Sequence, residues 1–138
     1  MKVIAVILVV LALTIGIVPQ FTDCQSQGKA IILANGKTIP MKCHWTAIAE
    51  IAVAVPLAMV GALLFVSKCK ETKLVLSVLV GVLGAFALLM PTVLIGVCSS
   101  GMLCEIVMSP ILVLCGILVM VASVISLILS IRQKESVL

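Results

Sequence analysis

Four long apolar stretches dominate this chain and decide the solvent in which it can fold. They are Val3–Val18, Ala47–Val66, Leu74–Val97 and Ile106–Ile131. Each approaches or exceeds the about 20 residues that a helix needs to cross the hydrocarbon of a bilayer. Glu50 is the one charged residue within them, and 64% of the whole chain is hydrophobic, more than a soluble domain can bury. The stretches predict an all-α membrane protein, a bundle of four transmembrane helices in a single domain.

The basic residues predict the orientation. If both termini are cytoplasmic, six of the nine basic residues lie inside: Lys2, Lys68, Lys70, Lys73, Arg132 and Lys134. This excess follows the positive-inside rule and makes 67–73 a cytoplasmic loop, with outer loops at 19–46 and 98–105. No small-x-small cleavage site follows the first stretch, so we interpret that stretch as an uncleaved anchor. The net charge of +4 reflects this topology, and without interleaved aromatic residues it does not indicate a nucleic-acid partner.

The same topology predicts where each of the six cysteines lies relative to the membrane. Four lie on the outer side, where disulfides form: Cys24, Cys43, Cys98 and Cys104. Cys69 falls in the cytoplasmic loop, and Cys115 lies inside the fourth stretch, where it suits packing. Three pairings of the outer cysteines are open. We favour Cys24–Cys43 and Cys98–Cys104, because each pair closes its own loop.

The first outer loop contains a hairpin signal. Asn35-Gly36 lies between two short apolar runs, and both residues accept the positive φ of a tight hairpin turn. A two-residue turn would pair Ala34 with Lys37 and Ile32 with Ile39. A Cys24–Cys43 disulfide would staple the base of this hairpin. The sequence therefore predicts a small disulfide-stapled outer cap that contains a β-hairpin.

The outer loops also carry a set of soft metal ligands: Met41, Cys43, His44, Met102 and Cys104. Thiolate, thioether and imidazole together suit Cu(I), or Zn(II) if the thiols stay reduced. Haem held by His44 and a methionine is another alternative. Cys43 precedes a helix and follows Lys42, surroundings that favour a reactive thiol and a redox role. We favour structural disulfides and no cofactor, with copper or haem as the alternative.

Two carboxylates are candidates for a site in or near the membrane. Glu50 lies about one turn inside the second apolar stretch, and Glu105 lies at a similar depth before the fourth. An ionisable residue inside a membrane is a functional candidate, so the two could share a ligand, proton or substrate site. A buried hydrogen-bonding role and simple interfacial exposure are the alternatives for Glu50. The stripe Ser123, Ser126 and Ser130 predicts close helix packing, either within the bundle or with a partner.

One segment carries a family resemblance. The stretch Met41-Lys42-Cys43-His44-Trp45-Thr46-Ala47, followed by Glu50 and set among four spans and paired outer cysteines, resembles a family of small bacterial and archaeal membrane proteins of unknown function. The resemblance covers nearly the whole chain. It implies a four-helix fold in the prokaryotic plasma (inner) membrane. Some family members are encoded beside exporter-type ATP-driven transporters, which implies an association and no mechanism.

The sequence contains no equipment typical of an enzyme. It has no phosphate-binding glycine loop, no nucleophile elbow and no intramembrane pair of aspartates. The leading hypothesis is a non-enzymatic subunit or accessory component that assembles with itself or with a membrane transporter in the lipid bilayer. One alternative is a thiol-redox or metal-handling protein of the outer face. The other is a small oligomeric transporter or channel that uses Glu50 and Glu105.

Overall fold

Four long helices form the body of the protein. The computed structural model describes residues 2–97, 101 and 103–132. The helices are α1 (Lys2–Thr22), α2 (Lys42–Val66), α3 (Lys70–Leu89) and α4 (Ser109–Arg132). A π turn, Met90–Leu94, extends α3, and a second π turn, Cys104–Met108, leads into α4. Even the shortest helical segment has 21 residues, enough to cross the hydrocarbon core at about 1.5 Å per residue. The chain is therefore a multi-pass membrane protein.

Two helices extend well beyond the apolar stretches that predicted them. The first continues through Pro19 to Thr22, whose hydroxyl donates to the carbonyl of Val18 at 2.9 Å. The second begins at Lys42, five residues before the apolar stretch. Hydropathy marks only the apolar part of a helix, so polar first and last turns escape it. As a consequence, Glu50 lies about 12 Å along α2 from its first residue, more than two turns inside the helix, although it lies only about one turn inside the apolar stretch.

A short antiparallel ribbon lies between α1 and α2. Its strands are β1 (Ile31–Ile32) and β2 (Thr38–Ile39), and its pairs are Ile31 with Ile39 and Ile32 with Thr38. The predicted pairing of Ala34 with Lys37 is wrong by one residue. Instead, residues 34–36 form a three-residue loop, and the Leu33 N–H donates to the Lys37 carbonyl at 2.9 Å. Gly36 takes the left-handed conformation that such loops require, with φ +74°.

The helices pack mainly as two hairpins, α1 with α2 and α3 with α4. The second hairpin is close because Gly84 has no side chain: a Cβ there would lie 2.8 Å from Cγ1 of Val119. The Ser77 and Ser126 hydroxyls are 2.7 Å apart across the same contact, and the Ser123 hydroxyl donates to the Ser77 carbonyl at 2.7 Å. The serine stripe of α4 therefore packs within the bundle, against α3.

The two ends of the bundle differ in chemistry. We call the end formed by residues 19–46, 94–97 and 103–105 the cysteine end, and the end formed by residues 67–73 the lysine end. Both π turns lie at or next to the cysteine end. Single π turns inside helices occur frequently at functional sites, because the extra residue changes where side chains point.

Candidate functional site

Three cysteine sulfurs converge at the cysteine end. The Sγ atoms of Cys24, Cys43 and Cys104 all lie within 4.8 Å of one another, and those of Cys24 and Cys104 are 3.4 Å apart. Each of the three residues is at most 1% exposed. They come from the turn after α1, the first turn of α2 and the π turn before α4. We call these three residues the thiol cluster; it draws on both helical hairpins.

The predicted disulfides cannot be recognised in this arrangement. At 3.4 Å, the sulfurs of Cys24 and Cys104 are well beyond the S–S bond length of about 2.05 Å. No disulfide joins two of the described cysteines to each other, and Cys98 lies outside the described residues. The pairs Cys24–Cys43 and Cys98–Cys104 therefore stay predictions. The structure also shows that the sulfurs of Cys24 and Cys104, which belong to different loops, lie close together, because the π turn before α4 packs against α1.

A hydrogen-bonded Asp–His pair connects the two chain segments that carry Cys24 and Cys43. Oδ2 of Asp23 is 2.9 Å from Nδ1 of His44, and each partner is the sequence neighbour of a cluster cysteine. The other carboxylate oxygen of Asp23 accepts the Ser26 N–H at 2.8 Å. Burial raises the pKa of Asp23, but the hydrogen bonds from His44 and Ser26 outweigh it and lower that pKa below its ordinary value. The pair therefore ties the turn after α1 to the start of α2.

Two further hydrogen bonds fix α2 against its neighbours. Nε2 of Gln20, in the last turn of α1, donates to the Ala47 carbonyl at 3.1 Å. The buried Thr46 hydroxyl donates to the Gly96 carbonyl, just beyond the π turn of α3, at 2.9 Å. The first turns of α2 are thus attached to both hairpins, which keeps Cys43 beside its partners.

The predicted soft-ligand set is brought together only in part. Cys43 and Cys104 meet, but the third converging sulfur belongs to Cys24, which the predicted metal set left out. His44 directs Nδ1 to Asp23 and is not in the converging group of potential ligands, and Met41 packs against the buried core. Met102 lies outside the described residues. One sequence signal could have found Cys24: Asp23-Cys24 and Cys43-His44 are two cysteines, each beside one half of an acid–imidazole pair.

The two predicted carboxylates lie in different environments. Glu50 is fully buried, and within the described residues neither of its carboxylate oxygens has a hydrogen-bond partner. Glu105 is exposed and accepts the Gly101 N–H at 2.9 Å. Glu50 is thus enclosed in the bundle and Glu105 is exposed, and a site shared by both carboxylates stays a prediction.

The surroundings of the thiol cluster favour metal coordination over nucleophilic attack by its thiols. Burial, reinforced by hydrogen bonds with the sulfurs of Cys43 and Cys104, raises the pKa of Cys24 above its ordinary value. A thiol held in this way is a poor nucleophile, since the thiolate is the reactive form. A thiophilic metal ion, in contrast, displaces the proton of a coordinating thiol outright. Three converging sulfurs can supply three of the ligands of such an ion.

Comparisons with known proteins point to one family. No curated protein matches the chain, and no solved structure matches it either. A family model described as a domain of unknown function matches residues 2–129, nearly the whole chain. The protein therefore belongs to the DUF4418 family of domains of unknown function.

Proposed function

We propose that this membrane protein handles a thiophilic metal ion, Cu(I) or Zn(II), which it binds through Cys24, Cys43 and Cys104 at its outer face. The observation that carries the proposal is the convergence of three buried sulfurs from three chain segments. A structural disulfide uses two sulfurs and gains nothing from a third. Cysteine sulfur is the ligand that selects these two ions over harder cations. The outer location rests on the predicted topology, which places six of the nine basic residues on the opposite side of the membrane from the cysteine end.

A redox role for the same cysteines is less well supported. A redox-active thiol is typically low in pKa and accessible to its partner. The thiol cluster is buried, and its surroundings raise the pKa of Cys24. Both properties slow attack on a partner disulfide. Both are compatible with a metal that reaches the sulfurs and displaces their protons.

Haem is also less well supported. A cofactor of that size needs a cavity of about 300–1,000 Å³. The cavity lined by Gln25, Lys29 and Pro40 at the cysteine end has a volume of about 140 Å³. An accessory role beside a transporter stays a prediction from the family resemblance.

Metal analysis and thiol counting on the purified protein test the proposal. The protein is prepared from membranes quenched with acid and alkylated, and in parallel without alkylation for metal analysis by mass spectrometry. We expect bound copper or zinc in the wild-type protein and its loss in Cys24→Ser, Cys43→Ser and Cys104→Ser. Cys69→Ser is the matched control, because Cys69 is exposed at the lysine end, and it should keep the metal.

A protein without metal and with oxidised cysteines would contradict the proposal. If the protein is free of metal and Cys24–Cys43 and Cys98–Cys104 are both fully oxidised, the cap is structural, as the sequence suggested. The identity of the bound element separates the two ions: copper alone would assign Cu(I), and zinc alone would assign Zn(II).

A further inference from the structure

The lysine end of the bundle holds a basic cavity of about 480 Å³. Its lining includes three lysines from three chain segments: Lys2 at the start of α1, Lys68 in the link between α2 and α3, and Lys73 in the opening turn of α3. None of the carboxylates in the described residues lines this cavity, and Glu71, two positions before Lys73, is exposed. The cavity is therefore positively charged.

The burial of Lys73 distinguishes this cavity from an ordinary set of interfacial lysines. A lysine at the end of a membrane span usually extends its ammonium group into water. Lys73 is instead only 7% exposed, and it lines the cavity. It also lies in the opening turn of α3, whose N-cap residue, Cys69, makes no side-chain capping hydrogen bond. The positive end of the helix dipole therefore adds to the attraction of this end for an anion.

An apolar groove continues from the cavity along α1 and α2. It has a volume of about 330 Å³, and all of its lining residues are apolar. Phe65 and Val66 line both the groove and the cavity, and the ammonium nitrogen of Lys2 lies 5.8 Å from the centre of the Phe65 ring. On α1 the groove runs from Ala5 to Val10, so its far end is about 12 Å from Lys2. That length is most of one leaflet, which is about 15 Å of hydrocarbon.

We propose that the cavity and the groove together bind one anionic phospholipid, with its phosphate among Lys2, Lys68 and Lys73 and an acyl chain between α1 and α2. Charge complementarity selects the headgroup, because basic pockets between transmembrane helices bind anionic lipid headgroups. The groove selects a lipid over a free phosphate, because it offers an acyl chain an apolar surface at the depth where the chain lies. The predicted topology assigns the lipid to the cytoplasmic leaflet. The site does not depend on the thiol cluster, which lies at the other end of the bundle.

Lipid binding measured by native mass spectrometry tests the headgroup half of the site. The full-length protein in detergent is titrated with phosphatidylglycerol, or with phosphatidylcholine that has the same acyl chains. We expect one phosphatidylglycerol to bind at least about tenfold more tightly than phosphatidylcholine. Lys2→Gln and Lys68→Gln, at exposed positions that the core does not need, should each weaken phosphatidylglycerol binding about fivefold, and Lys73→Gln should weaken it at least as much. Lys70→Gln is the matched control, because it removes the same charge outside the lining, and it should bind as the wild type does.

A substitution in the groove tests the acyl-chain half without changing any charge. Ala62 lines the groove, so the ring of Ala62→Phe should occupy the space of the acyl chain and weaken phosphatidylglycerol binding several-fold. Leu63→Phe is the matched control, because Leu63 is exposed on α2 but does not line the groove. If Ala62→Phe binds the lipid as the wild type does, the acyl chain lies elsewhere and this half of the site is wrong.

Glycerol phosphate carries the same phosphate chemistry without acyl chains, and it separates a lipid from a soluble ligand. We expect that it neither binds nor displaces phosphatidylglycerol. Displacement by glycerol phosphate would assign the cavity to a soluble phosphoester and overturn the lipid site. Equal affinity for the two phospholipids, or unchanged affinity in both Lys2→Gln and Lys68→Gln, would overturn the anionic site altogether.

Discussion

Replacing Glu50 with methionine should stabilise the protein when no metal is present. The wild-type carboxyl group is fully buried, and within the described residues neither oxygen has a hydrogen-bond partner. Leaving a buried polar group unsatisfied costs about 1–3 kcal/mol. Methionine is apolar, similar in length and flexible enough to adapt to the same space. Glu50→Met should therefore raise the free energy of unfolding by about 1–3 kcal/mol.

The assay is unfolding in mixed micelles with increasing SDS, followed by circular dichroism in the presence of a chelator. Glu105→Met is the control, because its exposed side chain should change stability by no more than about 0.5 kcal/mol. If Glu50→Met is instead destabilising with chelator present, the carboxyl group has a partner and the reasoning fails.

Three further predictions concern the Asp23–His44 pair, the helix packing and the membrane topology. Asp23→Ala should weaken metal binding at the thiol cluster about 10–100-fold, measured by chelator competition, because the hydrogen bond to His44 is lost; an unchanged affinity would contradict a positioning role. Gly84→Ala should cost about 1–3 kcal/mol in SDS unfolding, because its Cβ would lie 2.8 Å from Val119, whereas Gly16→Ala, 3.2 Å from Ala54, should cost less. A membrane-impermeant maleimide should label Cys69 in inside-out vesicles only, and labelling in right-side-out vesicles would reverse the predicted orientation.

The four helices could be predicted from the sequence because a lipid-facing surface has to be apolar. The helix ends could not, since polar turns such as Lys42-Cys43-His44 carry no hydropathy signal although they are helical. The predicted register of the ribbon was wrong because Asn35-Gly36 suits both two-residue and three-residue loops. Only the backbone conformation of the loop distinguishes the two.

The site was harder to predict than the fold. Each cysteine pair within a loop is close in sequence, so loop closure favoured Cys24 with Cys43. The approach of Cys104 depends on how the second hairpin packs against α1, which no local pattern encodes. Long-range contacts between hairpins decide the composition of the thiol cluster, and a single sequence contains little information on such contacts.

The division of the thiol cluster between the two hairpins has a consequence for biosynthesis. The ribosome completes α1 and α2, with Cys24 and Cys43, before it makes the segment that contains Cys104. A partly inserted chain therefore holds two of the three sulfurs and has no complete site to load. Capture of the ion that we propose for the thiol cluster would then signal that both hairpins have entered the membrane and docked. A chain truncated after α2 would reach the bilayer without a complete thiol cluster.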